Sequence, residues 1–340
     1  MTRKVYKLTP KAGSMNNLNL AEEDIAEPGV EEVAVDVKAI GLNFADVSAI
    51  LGLYRAIPGG SFIPGLEYSG IVAAVGEGVT AFKPGDRVMG IARFGGYVSR
   101  INIPYHYLTG LPENWSFEEG AAYLVHALTA YYALVRLADI QQGQTVLIQS
   151  AAGGVGILAN RLAKKFNAYT IGTIGNPSKA GILKKEGYDA AIVRSENFRE
   201  DLRKTLGDRK LNIVLESIGG QVLKDSFRLL ATEGRMIVYG AASFMPHGAK
   251  PNYFKLIRQY WKRPLIDPMR LTEWNKSVMG FNLIYLYDKR DIFRKILDHL
   301  QQLDLGKPHV GHIYPFSDLK EGVRLLQSGK TTGKVVITIK

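Results

Sequence analysis

The 340-residue sequence predicts an α/β protein, a doubly wound parallel sheet joined to a second, β-rich domain. Three observations carry this. Apolar runs alternate with helical patterns from 144 to about 240. Short strand-like runs separated by glycine turns fill the first hundred residues. At 144–165 a strand, a small-residue turn and a helix follow one another without a gap, in QTVLIQSAAGGVGILANRLAKK.

From Glu31 to Ala39, Val33, Val35 and Val37 face one way and Ala34, Asp36 and Lys38 the other, the pattern of a half-buried strand. Ile71 to Val75 is a second short strand. Lys83-Pro84-Gly85-Asp86 has the residue chemistry of a turn, and Arg87-Val88-Met89 resumes a strand. An irregular barrel accommodates such pieces. Ser116-Phe117-Glu118-Glu119 is a capping box, so a helix through Ala121, Ala122, Leu124 and Val125 follows.

From Gln144 the alternation is strict. Val146 to Ile148 begins it, and a helix carrying Leu158, Leu162 and Phe166 follows the glycine turn. Ala168 to Gly175 is the second strand, Ser178 caps a helix stopping at Gly187, and Ala190 to Val193 is the third. A helix at 198–206 precedes the strand Leu211 to Ser217. Gln221 to Ala231 is helical and Arg235 to Gly240 is the fifth strand. The chain closes with a helix at 292–303, a strand near Ile313, a helix from Ser317 and a strand from Val335 to Ile339. These last elements are expected to return to the first domain, whose β-rich core needs partners. The resulting division is 1–118, 119–284 and 285–340.

The glycine turn suggests chemistry. A helix start offers unpaired N–H groups and the positive end of the helix dipole to a pyrophosphate. Gly153 and Gly154 let phosphates approach the backbone, Val155 lies between, and Gly156 lets helix and strand pack closely. Ala151 stands where the first glycine of the usual pattern falls. These residues alone also fit a tight turn that binds nothing. At the end of the second strand an acid would select NAD, yet YTIGTIGNPSKA (169–180) contains none. Gly172-Thr173 occupies that place, and Lys179 and Arg194 follow. The 2′-phosphate of NADPH fits such a site.

The other bounds are compositional. No apolar run approaches the ~20 residues of a membrane span, and the first residues lack a signal-peptide core, so a cytoplasmic location is expected. Absence of cysteine excludes disulfides, thiolate catalysis and cysteine-bound zinc. The net charge of +11 points to anionic partners. Between Lys250 and Lys276 lie seven Lys and Arg against only Asp267 and Glu273, interleaved with Tyr253, Phe254, Tyr260, Trp261 and Trp274. A cover over the substrate cavity, peripheral contact with an anionic membrane, and a plain surface helix pair all fit this stretch. Nucleic acid is the less favoured partner.

With those residues in view, the chain resembles the medium-chain dehydrogenase/reductase superfamily, in its zinc-free quinone-oxidoreductase branch. GLNFAD (41–46), PGLEYSGIVAAVGEGV (64–79), KPGDRV (83–88), LTAYYAL (128–134), AAGGVG (151–156), LESIGG (215–220) and GKVVI (333–337) carry the resemblance over nearly the whole length. The stretch from Trp261 through GFNLIYL (280–286) is most similar to VAT-1-like proteins. The resemblance implies a discontinuous GroES-like catalytic domain, a central Rossmann domain and a homodimer. It places Asn43, Leu66 and Val125 where zinc-dependent relatives carry metal ligands, a set that cannot hold zinc.

The resemblance also implies site residues. Asn43, Tyr54 and Asp46 fall in the cleft as the catalytic group, Asn43 and Tyr54 as donors to a substrate oxygen. Asp46 suits ordering its loop better than moving protons. Thr129 would hold the nicotinamide carboxamide, and Gly240, Phe281, Leu283 and Lys334 would complete the cofactor contacts. His126 adjoins Thr129 as a structural donor. Ser48 replaces a second tyrosine that related quinone reductases often carry. The implied activity is NADPH-dependent hydride transfer to a quinone or α,β-unsaturated carbonyl. An enoyl-thioester reductase, and a cofactor-sensing protein acting at a membrane or on RNA with vestigial catalysis, are the alternatives.

Overall fold

A computed structural model describes residues 1–340. The chain opens with a hairpin, β1 (Thr2–Leu8) and β2 (Leu18–Asp24), which the sequence reading does not include. Then come β3 (Glu32–Leu42), α1 (Phe44–Ile50), β4 (Glu67–Val75), β5 (Arg87–Ile91), β6 (Arg100–Pro104), β7 (Leu108–Gly110), α2 (Phe117–Ala121) and α3 (Leu124–Tyr131). The central part runs β8 (Thr145–Ile148), α4 (Gly154–Lys165), β9 (Tyr169–Ile174), α5 (Ala180–Lys185), β10 (Ala190–Val193), α6 (Phe198–Leu206), β11 (Leu211–Glu216), α7 (Gly220–Leu229) and β12 (Leu230–Val238). It is completed by α8 (Tyr253–Trp261), α9 (Pro268–Trp274) and β13 (Ser277–Gly280). The chain ends α10 (Arg290–Leu303), β14 (Val310–Pro315), α11 (Leu319–Gln327) and β15 (Lys334–Thr338).

The central strands form one wholly parallel sheet in the order β10-β9-β8-β11-β12-β13. Counted from β8 this is 3-2-1-4-5-6, the doubly wound order whose reversal point lies between β8 and β11. Residues 145–280 supply all six strands. The other sheet has the order β14-β15-β3-β4-β5-β7, with β6 also on β3. β15 therefore sits inside this sheet, antiparallel to β3, and α10 packs against α3 before the chain crosses back. One apolar cluster runs from the β-rich domain through α3 and α4 to the near face of the parallel sheet. A second, around Phe198, Leu202, Phe227 and Met236, covers the far face.

Several local expectations need correction. The strand from Glu31 is longer, and Ala34 and Ala39 are buried with the valines; Ala39 packs against Ala121 and Ala122, so α2 and the residue after it cover the second face of β3 there. Ser178 does not cap the helix after β9. Asn176 does, its side chain accepting from Ser178 N at 2.9 Å, since Pro177 already sets the first helical φ. The fourth helix of the parallel sheet ends at Leu229 rather than Ala231, and β12 starts at once. The box at Ser116 forms, with the Ser116 and Glu119 side chains each accepting the other's amide.

Candidate active site between the two sheets

A cavity of about 800 Å³ opens at the carboxyl ends of the parallel strands, where Ser150, Ile174, Ser217 and Tyr239 follow or end β8, β9, β11 and β12. Ligands of open α/β sheets bind in this place, outside the strand ends at the reversal of order. Its other wall comes from the β-rich domain: Asn43, Phe44, Tyr54, Leu66 and the segment from Ser328 to Val335.

Ser150, in the left-handed region at φ 53°, makes the turn from β8 into α4. Gly153 is the N-cap, and the first helical bond runs from Ile157 N to Gly153 O at 2.9 Å. The amides of Gly154, Val155 and Gly156 therefore precede the helical ladder, and all three residues line the cavity. A Cβ at Gly156 would stand 2.7 Å from Ala151 Cα, so only glycine lets helix and turn close. Gly154 has a different reason from the one its motif suggests. A Cβ there would lie 2.0 Å from His126 Nδ1, so an imidazole fills the space beside the helix start.

Burial, and then the charge of Lys334, hold the His126 pKa well below the usual histidine value, so the ring is neutral. Its Nε2 faces Lys334 Nζ at 3.3 Å, which assigns the proton to Nδ1. That Nδ1 is buried and lacks a partner. The open amides of this first turn, in a cavity wall that includes Gly153, Gly154 and Gly156, suit a bound pyrophosphate, and these residues fit a dinucleotide.

The adenosine end is basic. Arg194 Nη1 donates to Thr173 Oγ1 at 2.9 Å. Thr173 in turn donates to Gln149 Oε1, and Gln149 Nε2 to Ser226 Oγ at 3.2 Å. Lys179 Nζ donates to the carbonyls of Gly329 and Thr331, 2.7 Å each. Burial, then repulsion from Arg194, lowers its pKa. Two expected cofactor contacts are displaced. Thr173 and Ala151 are completely buried and lie outside the cavity wall, Thr173 as the support of Arg194 and Ala151 as packing beneath α4. Gly153, Gly154, Val155, Gly156, Lys179, Arg194, Thr129, Gly240, Phe281 and Leu283 do line it.

Beneath the floor lies a buried polar cluster. Lys334, 1% exposed, donates to Glu67 Oε1 and to Asn43 Oδ1, the latter at 2.8 Å. Asn43 Nδ2 donates to Glu67 Oε1 at 3.0 Å and Gly41 O at 3.2 Å, and Glu67 Oε2 accepts from Val125 N at 3.0 Å. Burial lowers the Lys334 pKa while Glu67 opposes the shift. Two site expectations change here. Both amide hydrogens of Asn43 are spent, so it cannot donate to a substrate carbonyl. The Lys334 ammonium, taken up by Glu67 and Asn43, is the structural centre of the cluster and is not free to grip a phosphate.

Asp46 accepts from Asn43 N at 2.8 Å and Tyr97 OH at 3.0 Å, which orders the start of α1. Burial pushes its pKa up to about 7. A raised carboxyl pKa favours the folded state below the unfolded value near ~4, and that advantage is lost as pH rises towards about 7. Tyr54 OH donates to Asn282 Oδ1 at 2.6 Å, and burial pushes its pKa up to about 12. Of the three residues placed in the catalytic group, Tyr54 alone presents a usable proton to the cavity. Glu67, Asn282 and Lys330 belong to the site as well and were not anticipated.

No three His, Cys, Asp or Glu side chains are grouped to hold a metal. Where the resemblance places the ligands of zinc-dependent relatives, Asn43, Leu66 and Val125 stand instead, a donor set that does not suit a divalent cation.

Residues 29–113 match the alcohol dehydrogenase GroES-like domain family, and residues 154–302 the family described as zinc-binding dehydrogenase. The synaptic vesicle membrane protein VAT-1 homolog of Rattus norvegicus is 34% identical over 313 residues, 91% of this chain and 77% of that protein. Escherichia coli quinone oxidoreductase, solved as a complex with NADPH, superposes with a TM-score of 0.83 at 30% identity over 100% of both chains. The CurK enoyl reductase structure gives 0.84 at 27% identity over 99% of each chain.

Proposed function

The chain belongs to the medium-chain dehydrogenase/reductase superfamily, with the VAT-1-like proteins, and from that premise we propose an NADPH-dependent, zinc-independent oxidoreductase acting on a quinone or α,β-unsaturated carbonyl. One observation carries this reading: Lys179, Arg194 and Lys330 line the cavity, and no Asp or Glu does. Such a lining attracts a polyphosphate and offers no carboxylate to repel a 2′-phosphate.

NADPH, when bound, supplies hydride from nicotinamide C4 to an electron-poor double bond. The chain supplies position and electrostatics. The amides that open α4 would hold the pyrophosphate, and Lys179 and Arg194 would hold the 2′-phosphate. Thr129 gives its hydroxyl proton to Val125 O at 2.7 Å, which leaves its oxygen to accept from a carboxamide N–H. With a pKa near 12, Tyr54 keeps its proton at neutral pH. It serves as a hydrogen-bond donor to the oxygen on which negative charge develops, exchanging Asn282 for the substrate.

NADPH oxidation measured against quinones, enones and enoyl thioesters tests the reading. Tyr54→Phe is expected to lower kcat/KM about 10²-fold, with NADPH affinity unchanged. Uniformly null rates in a protein that still binds NADPH would overturn it. Activity confined to thioesters would move the chain to the enoyl reductases, the class named by the CurK neighbour.

A second reading concerns the surface. Helices α8 and α9 bury no residue; Phe254, Trp261 and Leu265 are about four-fifths exposed and stand among basic side chains. No helix is long and apolar enough to cross a membrane. We propose that this face rests on an anionic bilayer from the cytoplasmic side, and that the outer edge of β13, paired only with β12, joins two copies. Co-sedimentation with phosphatidylserine vesicles should weaken with salt and vanish when Phe254 and Trp261 become Ser, with the dimer intact by sedimentation velocity. Loss of the dimer in that variant would assign the face to the second copy; salt-sensitive retention on RNA alone would assign it to nucleic acid.

A further inference from the structure

The site for the 2′-phosphate is built by both domains. We infer that Lys330, on the segment joining α11 to β15, is a specificity-determining residue for the phosphorylated coenzyme, and that Lys179 exchanges two backbone carbonyls of that segment for the phosphate. This inference rests on the NADPH reading above and extends it to a residue outside the dinucleotide-binding domain.

The segment reads Ser328-Gly329-Lys330-Thr331-Thr332-Gly333-Lys334. It is fixed at its far end. Gly333, at φ 58°, donates its N–H to Ala152 O at 2.8 Å and bridges to Gly153, so the strap lies on the glycine turn itself. A Cβ at Gly333 would come within 2.2 Å of His309 O, which fixes glycine there. Its near end turns through Gly329 at φ 69°, and Lys330 N donates to Ser328 Oγ at 3.2 Å. Between these two points the strap spans the adenosine end of the cavity, and Ser328, Gly329, Lys330 and Thr331 all line it.

Lys179 belongs to the loop after β9, in the other domain. Its ammonium is held by Gly329 O and Thr331 O, the carbonyls on either side of Lys330. Both acceptors are neutral. A phosphate dianion forms charge-assisted hydrogen bonds roughly twice as strong as neutral ones, so its arrival draws Lys179 away from the strap. Arg194 is tied through one nitrogen to Thr173. Lys330, exposed and flanked by the two carbonyls that Lys179 gives up, is the cation that moves with the strap toward the phosphate. NADH lacks that group and leaves Lys179 on its carbonyls.

The experiment measures binding and amide exchange rather than turnover. NADPH and NADH are titrated into the full chain and into Lys330→Met by calorimetry, and hydrogen exchange of 328–334 is followed with 2′,5′-ADP and with 5′-AMP. The inference expects NADPH binding about tenfold weaker in the variant with NADH binding unchanged. It also expects exchange in the strap to respond to 2′,5′-ADP and not to 5′-AMP. Equal weakening for both coenzymes would give Lys330 a merely structural role and overturn the inference, as would no weakening at all. A wild-type chain that prefers NADH would overturn the cofactor reading itself, an outcome recognisable before any variant is made.

Discussion

Replacing Lys334 with methionine should lower the stability of the chain by about 3–5 kcal/mol, read from the midpoint of a urea or guanidinium transition. The side chain is 1% exposed, and its ammonium is the one cation bonded to Glu67, equally buried. Methionine fills most of the volume, so the cost is electrostatic. A buried carboxylate loses its partner, and removing one member of such a pair costs far more than the intact pair contributes. The pH dependence separates this from a packing defect. In the native chain Lys334 holds the Asp46 carboxyl down against the effect of burial, which nonetheless brings it to about 7. Without the cation that carboxyl binds its proton over a wider range. The variant therefore goes on losing stability as pH rises beyond the point where the native chain has levelled off. The deficit should widen from pH 5 to pH 8; a gap constant across that range would refute the electrostatic account.

The second large effect is on coenzyme choice. Lys179→Met combined with Arg194→Met should weaken NADPH binding by about 10²–10⁴-fold while NADH affinity stays within about twofold. Each lost charge-assisted bond to the 2′-phosphate is worth about 1.5–3 kcal/mol, and two together set the range. Neither residue takes part in the packed interior of the parallel sheet. Lys179 is tied to backbone carbonyls of the strap, and Arg194 to the outward end of the Thr173–Gln149 chain. Equal loss for both coenzymes, measured by tryptophan quenching or calorimetry, would place these cations elsewhere than on the phosphate.

The parallel half of the fold is legible in the sequence because its elements are local. Apolar runs of four to six residues alternate with caps and glycines, and β8 through α4 follows from a few consecutive residues. The β-rich half is less so. Alternation at Val33, Val35 and Val37 implies one wet face, yet α2, about eighty residues further on, covers that face at Ala39, a tertiary fact with no local mark. The site divides in the same way. Gly153, Gly156, Lys179 and Arg194 announce themselves through spacing and through the missing acid. The Lys334–Glu67–Asn43 cluster joins residues up to 291 positions apart. Its only sequence trace is a lysine opening an otherwise apolar terminal strand and a glutamate opening β4. Gly154 misleads for a related reason: a glycine read as room for phosphate is room for His126.

The position of β15 carries a consequence for how the molecule is made. The six-stranded sheet comes from one uninterrupted stretch, whereas the seven-stranded sheet has β15, about 260 residues further along the chain than β4, wedged between β14 and β3. A nascent chain can thus assemble its coenzyme-binding module while β3 still lacks a neighbour and the Glu67 carboxylate still lacks its counter-ion. Only when residues 334–338 have left the ribosome is the seven-stranded sheet joined up, and the same event delivers the Lys334 ammonium beneath the cavity. Completion of that sheet and neutralisation of the buried Glu67 carboxylate are one step.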